Sequence, residues 1–138
     1  MGRHDDDTIL PNWTLARGVR TDWFDVDDSG KEIVQSRAFD DCNQEVSCFI
    51  LEEVGGIEGF RNNILPIIER ELGSSLRFAT VEVRIVRAND FWIYRKPEEF
   101  HNNSAHVVLC PTQAENILKK QFKKQAREVA KLALLQAP

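Results

Sequence analysis

The chain has 138 residues, of which 42% are hydrophobic and 29% are charged, and its formal net charge is −4 at pH 7. These values are ordinary for one soluble globular domain with its own hydrophobic core. No apolar run approaches the roughly 18 residues of a membrane span, and the polar first residues lack the apolar centre of a signal peptide. We therefore expect a bacterial cytoplasmic protein without a membrane partner.

The first predicted unit is a flexible acidic arm over residues 1–12, because three consecutive aspartates repel one another and Pro11 interrupts local structure. Residues 13–138 are predicted to form a single domain. Its first segment, "WTLARGVRTDWF", is rich in aromatic and β-branched residues without a helical stripe. This composition predicts one or two short extended pieces.

The acidic stretch "DVDDSGKEI", which begins at Asp25, resembles the front half of a calcium loop. The twelfth loop position must supply a bidentate glutamate, and here it is Ser36, followed by Arg37. Asp28, Ser29 and Gly30 instead have the residue types of a tight turn. We therefore predict a turn between two extended segments and no calcium site.

The middle of the chain alternates between strand and helix patterns. Residues 45–51 form a short apolar run, typical of a strand buried on both faces. Residues 57–72 carry apolar side chains at helical spacing, with Pro66 inside, which predicts a kink or two abutting helices. Gly73 is a typical helix C-cap.

The next segments favour strands. Residues 76–88 alternate, with Val81, Val83 and Ile85 on one face, and residues 91–95 are predicted to pair with them as a hairpin. Residues 105–110 form a further short strand that ends at Pro111.

The C-terminal segment predicts a long helix from Thr112 to about Leu135. Thr112 and Glu115 have the spacing of a capping box, and an apolar stripe follows. The order of elements predicts an α+β domain with a mainly antiparallel sheet, an inner kinked helix and this C-terminal helix packed on it. Its core is predicted to contain Phe49, Ile64, Ile68, Val81, Val83, Ile85, Phe122, Ala126 and Val129.

No metal site or cofactor is predicted. His106 and Cys110 share a face of the predicted strand but are about 13 Å apart at the rise of an extended chain, too far to share a zinc ion. The three cysteines have no Cys-x-x-Cys spacing, and the chain contains neither a P-loop nor a dinucleotide-binding glycine pattern.

Three residues are candidates for chemistry on an anionic small molecule. Arg37 could bind the anion or form a salt bridge with Asp40, Asp41 or Glu45. His106, at the start of an apolar strand, could be a general acid or base or a satisfied structural histidine. Ser47 could position the ligand, although a strand interior without a nucleophile elbow is a poor place for a nucleophile.

The charges are unevenly distributed. Residues 1–60 carry 14 acidic and 5 basic side chains, whereas residues 61–138 carry 8 and 13. On the C-terminal helix, the spacing of Lys120, Lys124, Arg127 and Lys131 places them on one ridge, called the basic ridge below. The basic ridge could meet an acidic partner or nucleic acid, or it could be an ordinary solvated face.

The segments "WTLARGV", "SRAF", "VSCFI" and "KPEEFHNNSAHVVL" occur in an order that resembles a family of short uncharacterised bacterial proteins. The resemblance covers about residues 13–110. It implies no activity and only directs attention to Arg37, Ser47 and His106.

Three functions follow as hypotheses. The first is a non-enzymatic module that binds an unknown protein partner through the basic ridge. The second is a small enzyme acting on a nucleotide or another anionic small molecule through Arg37, Ser47 and His106. The third is nucleic-acid binding through the C-terminal helix, which the acidic balance of the whole chain disfavours.

Overall fold

The computed structural model describes residues 4–40, 45–113 and 119–137. Its centre is a six-stranded sheet in which every neighbouring pair of strands is antiparallel. The strands are β1 (Thr14–Val19), β2 (Phe24–Val26), β3 (Glu32–Val34), β4 (Val46–Ile50), β5 (Arg77–Glu82), β6 (Phe91–Arg95), β7 (His106–Pro111) and β8 (Leu134–Leu135). The order across the main sheet is β6-β7-β4-β1-β5-β8, and β2 and β3 form a separate hairpin.

Helical elements cover both faces of the main sheet. They are α1 (Arg37–Asp40), α2 (Gly56–Gly59), a π-helical turn (Phe60–Ile64), α3 (Leu65–Leu72), α4 (Val83–Ala88) and α5 (Lys119–Leu132). Three short 3-10 turns cover Thr21–Trp23, Leu51–Glu53 and Pro97–Glu99. The predicted α+β class, with a kinked helix and a C-terminal helix on an antiparallel sheet, is confirmed.

Alternation along the strands divides the core into two parts. Leu15 packs with the apolar side of α5, whereas the next residue, Ala16, packs with the π-helical turn and the start of α3. Because successive side chains of a strand point to opposite faces, α5 and the π-helical turn lie on opposite sides of the sheet. The sheet is therefore buried on both faces.

The predicted break in the helix over residues 57–72 is confirmed. The π-helical turn joins α2 to α3, and Pro66 is the second residue of α3. A proline is tolerated in the first turn of a helix because the N–H group that it lacks would have no acceptor within the helix there. Gly73 ends α3 in the left-handed conformation, with a φ of 71°, as the sequence predicts.

The turn over residues 27–30 is also confirmed. Asp27 Oδ1 accepts hydrogen bonds from the backbone N–H groups of Ser29 and Lys31 and from the Ser29 hydroxyl, and Gly30 has a φ of 86°. The hydrogen bond from the Ser29 side chain is the main reason that the pKa of Asp27 is lowered. The carboxylate thus stabilises the turn between β2 and β3.

The strand predicted over residues 76–88 is wrong in its second half. β5 ends at Glu82, and Val83–Ala88 is the helix α4, with Val83 and Val86 buried. The backbone N–H groups of Val83 and Arg84 donate to the carbonyls of Trp13 and Pro11. The segment before β1 therefore supplies acceptors for two N–H groups at the N-terminus of α4, which have no acceptor within the helix. Ile85 is consequently half-buried and not part of the central core.

The hairpin predicted between residues 76–88 and 91–95 is wrong as well. β6 pairs with β7 and lies at one edge of the sheet, separated from β5 by β7, β4 and β1. The helix α4 stands between β5 and β6 in the chain, which re-enters the sheet at the edge formed by β6. Local alternation could not reveal this choice of partner, because an edge strand has the same period as a central one.

The C-terminal helix is shorter than predicted. α5 ends at Leu132, and Leu134–Leu135 pairs with Ala79 and Thr80 as the edge strand β8. Glu115 of the predicted capping box lies outside the described residues. The buried side of α5 contains Phe122, Ala126 and Val129, as predicted.

The segment expected to be a flexible arm contacts the domain through Asp5, Asp6 and Ile9. Ile9 is fully buried in the core shared with α5. Asp5 and Asp6 flank the edge strand β6: the Asp6 N–H donates to the Ile93 carbonyl at 2.8 Å, and the Ile93 N–H donates to Asp5 Oδ1 at 2.9 Å. This segment therefore covers the free edge of the sheet.

Charge pairs also hold this segment. Asp5 lies 3.1 Å from Arg87 Nε, and Asp6 lies 3.7 Å from Arg95 Nε. Burial alone would raise the pKa of Asp6, but hydrogen bonds from Thr8 and the charge of Arg95 together hold it below its ordinary value.

None of the helices in the described part of the chain combines the length and the hydropathy that a membrane-spanning helix requires.

The buried side chain of Ile9 is expected to anchor the N-terminal segment. We expect Ile9→Ala to lower the free energy of unfolding by about 2–4 kcal/mol, because it removes buried methyl groups and leaves a cavity. Leu10→Ala is the matched control. Leu10 is the next residue in the chain and is 45% exposed, so we expect a change in the free energy of unfolding below about 1 kcal/mol. Urea denaturation measures both, and equal effects would contradict the anchoring role.

Candidate functional site

The structure brings Ser47 and His106 together on one face of the sheet. β4 and β7 pair with Ser47 opposite Val108 and Phe49 opposite His106. Ser47 and His106 are therefore diagonal neighbours on adjacent strands, close enough for their side chains to meet. Ser47 Oγ is hydrogen-bonded to His106 Nε2. Two residues 59 positions apart in the chain thus form one pair.

The backbone carbonyl of Lys96 fixes the tautomer of His106. Nδ1 of His106 lies 2.7 Å from this oxygen, which can only accept a hydrogen bond, so Nδ1 carries the proton. In the neutral imidazole, Nε2 is then the acceptor of the Ser47 hydroxyl proton. This arrangement of hydroxyl, imidazole and orienting acceptor has the geometry of an activated nucleophile.

Aromatic rings hold the imidazole in place. The ring of Phe49 meets it edge-on at a centroid distance of 5.1 Å, and the ring of Phe100 stacks on it at 6.0 Å. His106 itself is only 2% exposed. The imidazole therefore lies behind Ser47, out of contact with bulk water, and Ser47 is the member of the pair that can meet a ligand.

The carbonyl of Lys96 is itself held by a polar cluster. The Lys96 ammonium lies 3.0 Å from Glu45 Oε1 and 3.3 Å from Glu99 Oε2, and the Tyr94 hydroxyl donates to Glu45 at 2.7 Å. The hydrogen bond to Glu45 is the main cause of the raised pKa of Lys96, so its positive charge is stabilised. These contacts fix the backbone that orients His106.

Ser47 lies in the wall of a cavity of about 250 Å³. The cavity opens between α3 and the sheet, and its lining is mostly apolar. The lining residues are Arg17, Gly18, Arg20, Trp23, Ser47, Phe49, Ile68, Glu71, Leu72, Leu76 and Phe100. A largely apolar cavity with a few converging polar groups is the usual form of a small-molecule site.

Gly18 keeps one wall of the cavity open. A Cβ atom at this position would lie 3.2 Å from Leu76 Cδ1 and 3.9 Å from Leu65 Cδ1. A larger residue would therefore push against the apolar wall and reduce the space opposite α3.

Arg17 links the cavity wall at Ser47 to the helix α1. Its Nη1 donates to the Ser47 carbonyl at 2.8 Å, and its Nε donates to the carbonyl of Ala38 in α1. β1 and β4 pair only at Leu15–Ile50 and Ala16–Phe49. The guanidinium therefore supplies to the Ser47 carbonyl the hydrogen bond that strand pairing does not provide there.

A second arginine lies at the mouth of the cavity. Arg20 is exposed, and its guanidinium carbon lies 5.5 Å from the ring centroid of Trp23, which is buried. Within the parts of the chain that the structure describes, Arg20 has no carboxylate at ion-pair distance. Glu71, also at the mouth, has His101 Nε2 at 3.2 Å from its Oε2. Arg20 is thus available to an anionic ligand.

Arg37 does not line this cavity. Its side chain is 52% exposed, and its Nη2 lies 3.4 Å from Asp22 Oδ2. A salt bridge was one of the two interpretations of Arg37. Among the described residues its partner is Asp22 and not Asp40 or Glu45, and Asp41 lies outside the described residues. Of the three candidates, the structure joins Ser47 and His106, and it places Arg17 and Arg20 beside Ser47 instead of Arg37.

Sequence reasoning missed Arg17, Arg20 and Trp23. The signal was present, because a buried-strand pattern that contains an arginine predicts an ion or carbonyl partner for it. The partners, however, come from α1 and β4, which lie 21 and 30 residues away in the chain. No local pattern indicates such a contact.

The basic ridge is at the surface. Lys120, Lys124, Arg127 and Lys131 are all exposed along α5, opposite its buried side. Among the described residues, Lys131 alone of the four forms an ion pair, with Glu128 at 3.4 Å. No group of three or more potential metal ligands is clustered within residues 4–40, 45–113 and 119–137.

Comparison with known proteins yields no relative, because no protein-family model, curated protein or solved structure matches this chain. The resemblance to short bacterial proteins stays a prediction. The site must therefore be interpreted from its own geometry.

We expect Arg17→Met to lower the free energy of unfolding by about 2–4 kcal/mol, because it leaves the carbonyls of Ala38 and Ser47 without their donor. Arg20→Met is the matched control, since it removes the same charge from an exposed position over the same tryptophan. We expect it to change stability by less than about 1 kcal/mol. Chemical denaturation monitored by tryptophan fluorescence measures both, and a neutral Arg17→Met would contradict the bridging role.

Proposed function

We propose that this protein is a small hydrolase that cleaves an acyl ester, with Ser47 as the nucleophile and His106 as the general base. The observation that carries the proposal is the hydrogen-bonded series from Ser47 Oγ through His106 to the Lys96 carbonyl, in the wall of a cavity. It keeps the enzyme of the second hypothesis, makes Ser47 the nucleophile where that hypothesis had it position the ligand, and replaces Arg37 by the arginines at the cavity.

The reaction has two steps. Ser47 Oγ attacks the carbonyl carbon of the ester while His106 Nε2 takes the hydroxyl proton, and the C–O bond to the leaving alcohol breaks as Nε2 returns that proton to it. Water then attacks the acyl-serine with His106 again as the base, which releases the acid and restores the hydroxyl. The Lys96 carbonyl stabilises the imidazolium formed in each step through Nδ1–H.

The enclosure of His106 supports this assignment. The imidazole is in contact with Phe49 and Phe100, and its Nε2 is directed to Ser47. Because Nε2 is directed to Ser47, the base meets the nucleophile first, and both the leaving alcohol and the attacking water must reach Nε2 from the cavity side of Ser47.

A fluorophosphonate probe tests the nucleophile directly. We expect it to modify Ser47, mapped by peptide mass spectrometry, and to leave exposed serines such as Ser74 unmodified, because no histidine among the described residues is hydrogen-bonded to the Ser74 hydroxyl. His106→Gln should slow the modification by at least about 100-fold, the usual contribution of a general base.

The control for folding is the near-ultraviolet circular dichroism of each variant. If the wild-type protein is not modified at Ser47, or if Ser74 reacts equally fast, the proposal is wrong whatever the variants do. Mapping on the wild-type chain requires no substitution and so remains decisive if His106→Gln does not fold.

A second candidate function is the interaction module predicted from the basic ridge. Four exposed cations on one side of α5 favour contact with an acidic polypeptide. This role requires neither Ser47 nor the cavity, so both functions could belong to one chain.

Paired charge reversals test the basic ridge. We expect the variant with Lys120→Glu and Lys124→Glu to lose binding to polyglutamate at low salt. The variant with Lys119→Glu and Lys123→Glu has the same change in net charge on a neighbouring strip of the helix, and we expect it to retain most of the binding. Fluorescence anisotropy measures the binding of both variants. Equal losses would show that binding depends on the net charge of the protein and not on the basic ridge.

A further inference from the structure

The distribution of polar and apolar groups around the cavity defines a ligand with two chemically different parts. Its buried end consists of Phe49 and Phe100, with Ile68 and Leu76 along the side formed by α3 and the following loop. Its mouth carries the charged side chains of Arg20 and Glu71. An apolar part fits the interior, and a charged part fits the mouth.

The sign of that charge follows from the pairing of the groups at the mouth. Glu71 Oε2 lies 3.2 Å from His101 Nε2, whereas the Arg20 guanidinium lies over the ring of Trp23 and has no carboxylate of the described residues at ion-pair distance. Arg17 adds a second positive charge to the wall, although its Nε and Nη1 are already hydrogen-bonded to carbonyls. The exposed cation at the mouth is Arg20.

The volume limits the size of the ligand. An apolar cavity of about 150 Å³ holds benzene, so by proportion a cavity of about 250 Å³ holds about ten non-hydrogen atoms. This is the size of a carboxylate with about eight carbon atoms in all and two oxygen atoms. A nucleotide has about twice as many non-hydrogen atoms, so the cavity is too small to enclose a whole nucleotide.

We infer that the substrate is an ester that combines a medium-length apolar part, held in the cavity, with one anionic group that Arg20 binds at the mouth. The inference rests on the proposed function for the presence of an ester bond, and it makes Arg20 the residue that selects for negative charge. Ser47 lies in the wall of the same cavity, within reach of an acyl group there.

Binding of octanoate tests this inference without requiring any reaction. Calorimetry is performed on the Ser47→Ala protein with octanoate and with 1-octanol, which has the same chain length and no charge. We expect octanoate to bind at least about tenfold more tightly than 1-octanol, the effect of one hydrogen bond to a charged group.

Substitutions at the cavity identify the groups responsible. Arg20→Met should abolish the preference for octanoate, whereas Glu71→Gln should increase it. Arg84→Met removes an exposed arginine that pairs with Glu82 and does not line the cavity, and it should leave binding unchanged. Ile68→Trp fills the apolar side and should weaken both ligands.

Two results would overturn the inference: equal binding of octanoate and 1-octanol, or a preference for octanoate that survives in Arg20→Met. These results are distinct from failure of the proposed reaction, which is judged by modification of Ser47 in the wild-type protein. A modified Ser47 without octanoate binding would preserve the hydrolase and refute the substrate class. Octanoate binding that depends on Arg20 would support the ligand chemistry even if Ser47 were unreactive.

Discussion

The guanidinium of Arg17 is the contact on which the site depends. β1 and β4 stop pairing after Ala16 and Phe49, and Arg17 then joins β4 to α1 through the carbonyls of Ser47 and Ala38. Without this donor, two buried acceptors would lose their hydrogen bonds, at a cost of about 1–3 kcal/mol each. The divergence of the strands is what leaves room for the cavity beside Ser47, so the same interaction that closes the fold also positions the candidate nucleophile.

The two faces of the sheet pack against different elements, and the pair of Ser47 and His106 lies on only one of them. One face packs against α5, α1 and the N-terminal segment in the larger apolar cluster, which contains Ile9 and Phe122. The other face packs against the π-helical turn and α3 in a smaller aromatic cluster, in which Phe49 and Phe100 hold the imidazole of His106. A polar pair on the smaller side can be buried because every group in it has a partner, whereas an unpaired imidazole there would destabilise the core.

Local patterns in the sequence sufficed for the fold class but not for the connections within the sheet. The break before Pro66, the turn at Asp27 and the buried side of α5 follow from residue types within one or two turns of chain. The switch from strand to helix at Val83 depends on carbonyls of Pro11 and Trp13, about 70 residues earlier, so alternation over residues 76–88 was misleading. Ser47 and His106 could be selected singly, but their pairing depends on the register of β4 against β7, and Arg17 could not be recognised before its carbonyl partners were known.

The candidate nucleophile Ser47 lies on a strand, whereas nucleophiles are expected on sharp turns, and the local geometry accounts for the difference. A turn exposes a side chain by lifting it away from its neighbours. Here the strand beside Ser47 diverges instead, and the adjacent position on β1 is Gly18, whose missing side chain leaves Leu76 and Leu65 as the next atoms across the space. Ser47 therefore lines the cavity without leaving the sheet, and the pairing of β4 with β7 keeps its hydroxyl on His106. A site built on paired strands holds its geometry more closely than one on a loop, which suits a pair whose histidine is buried.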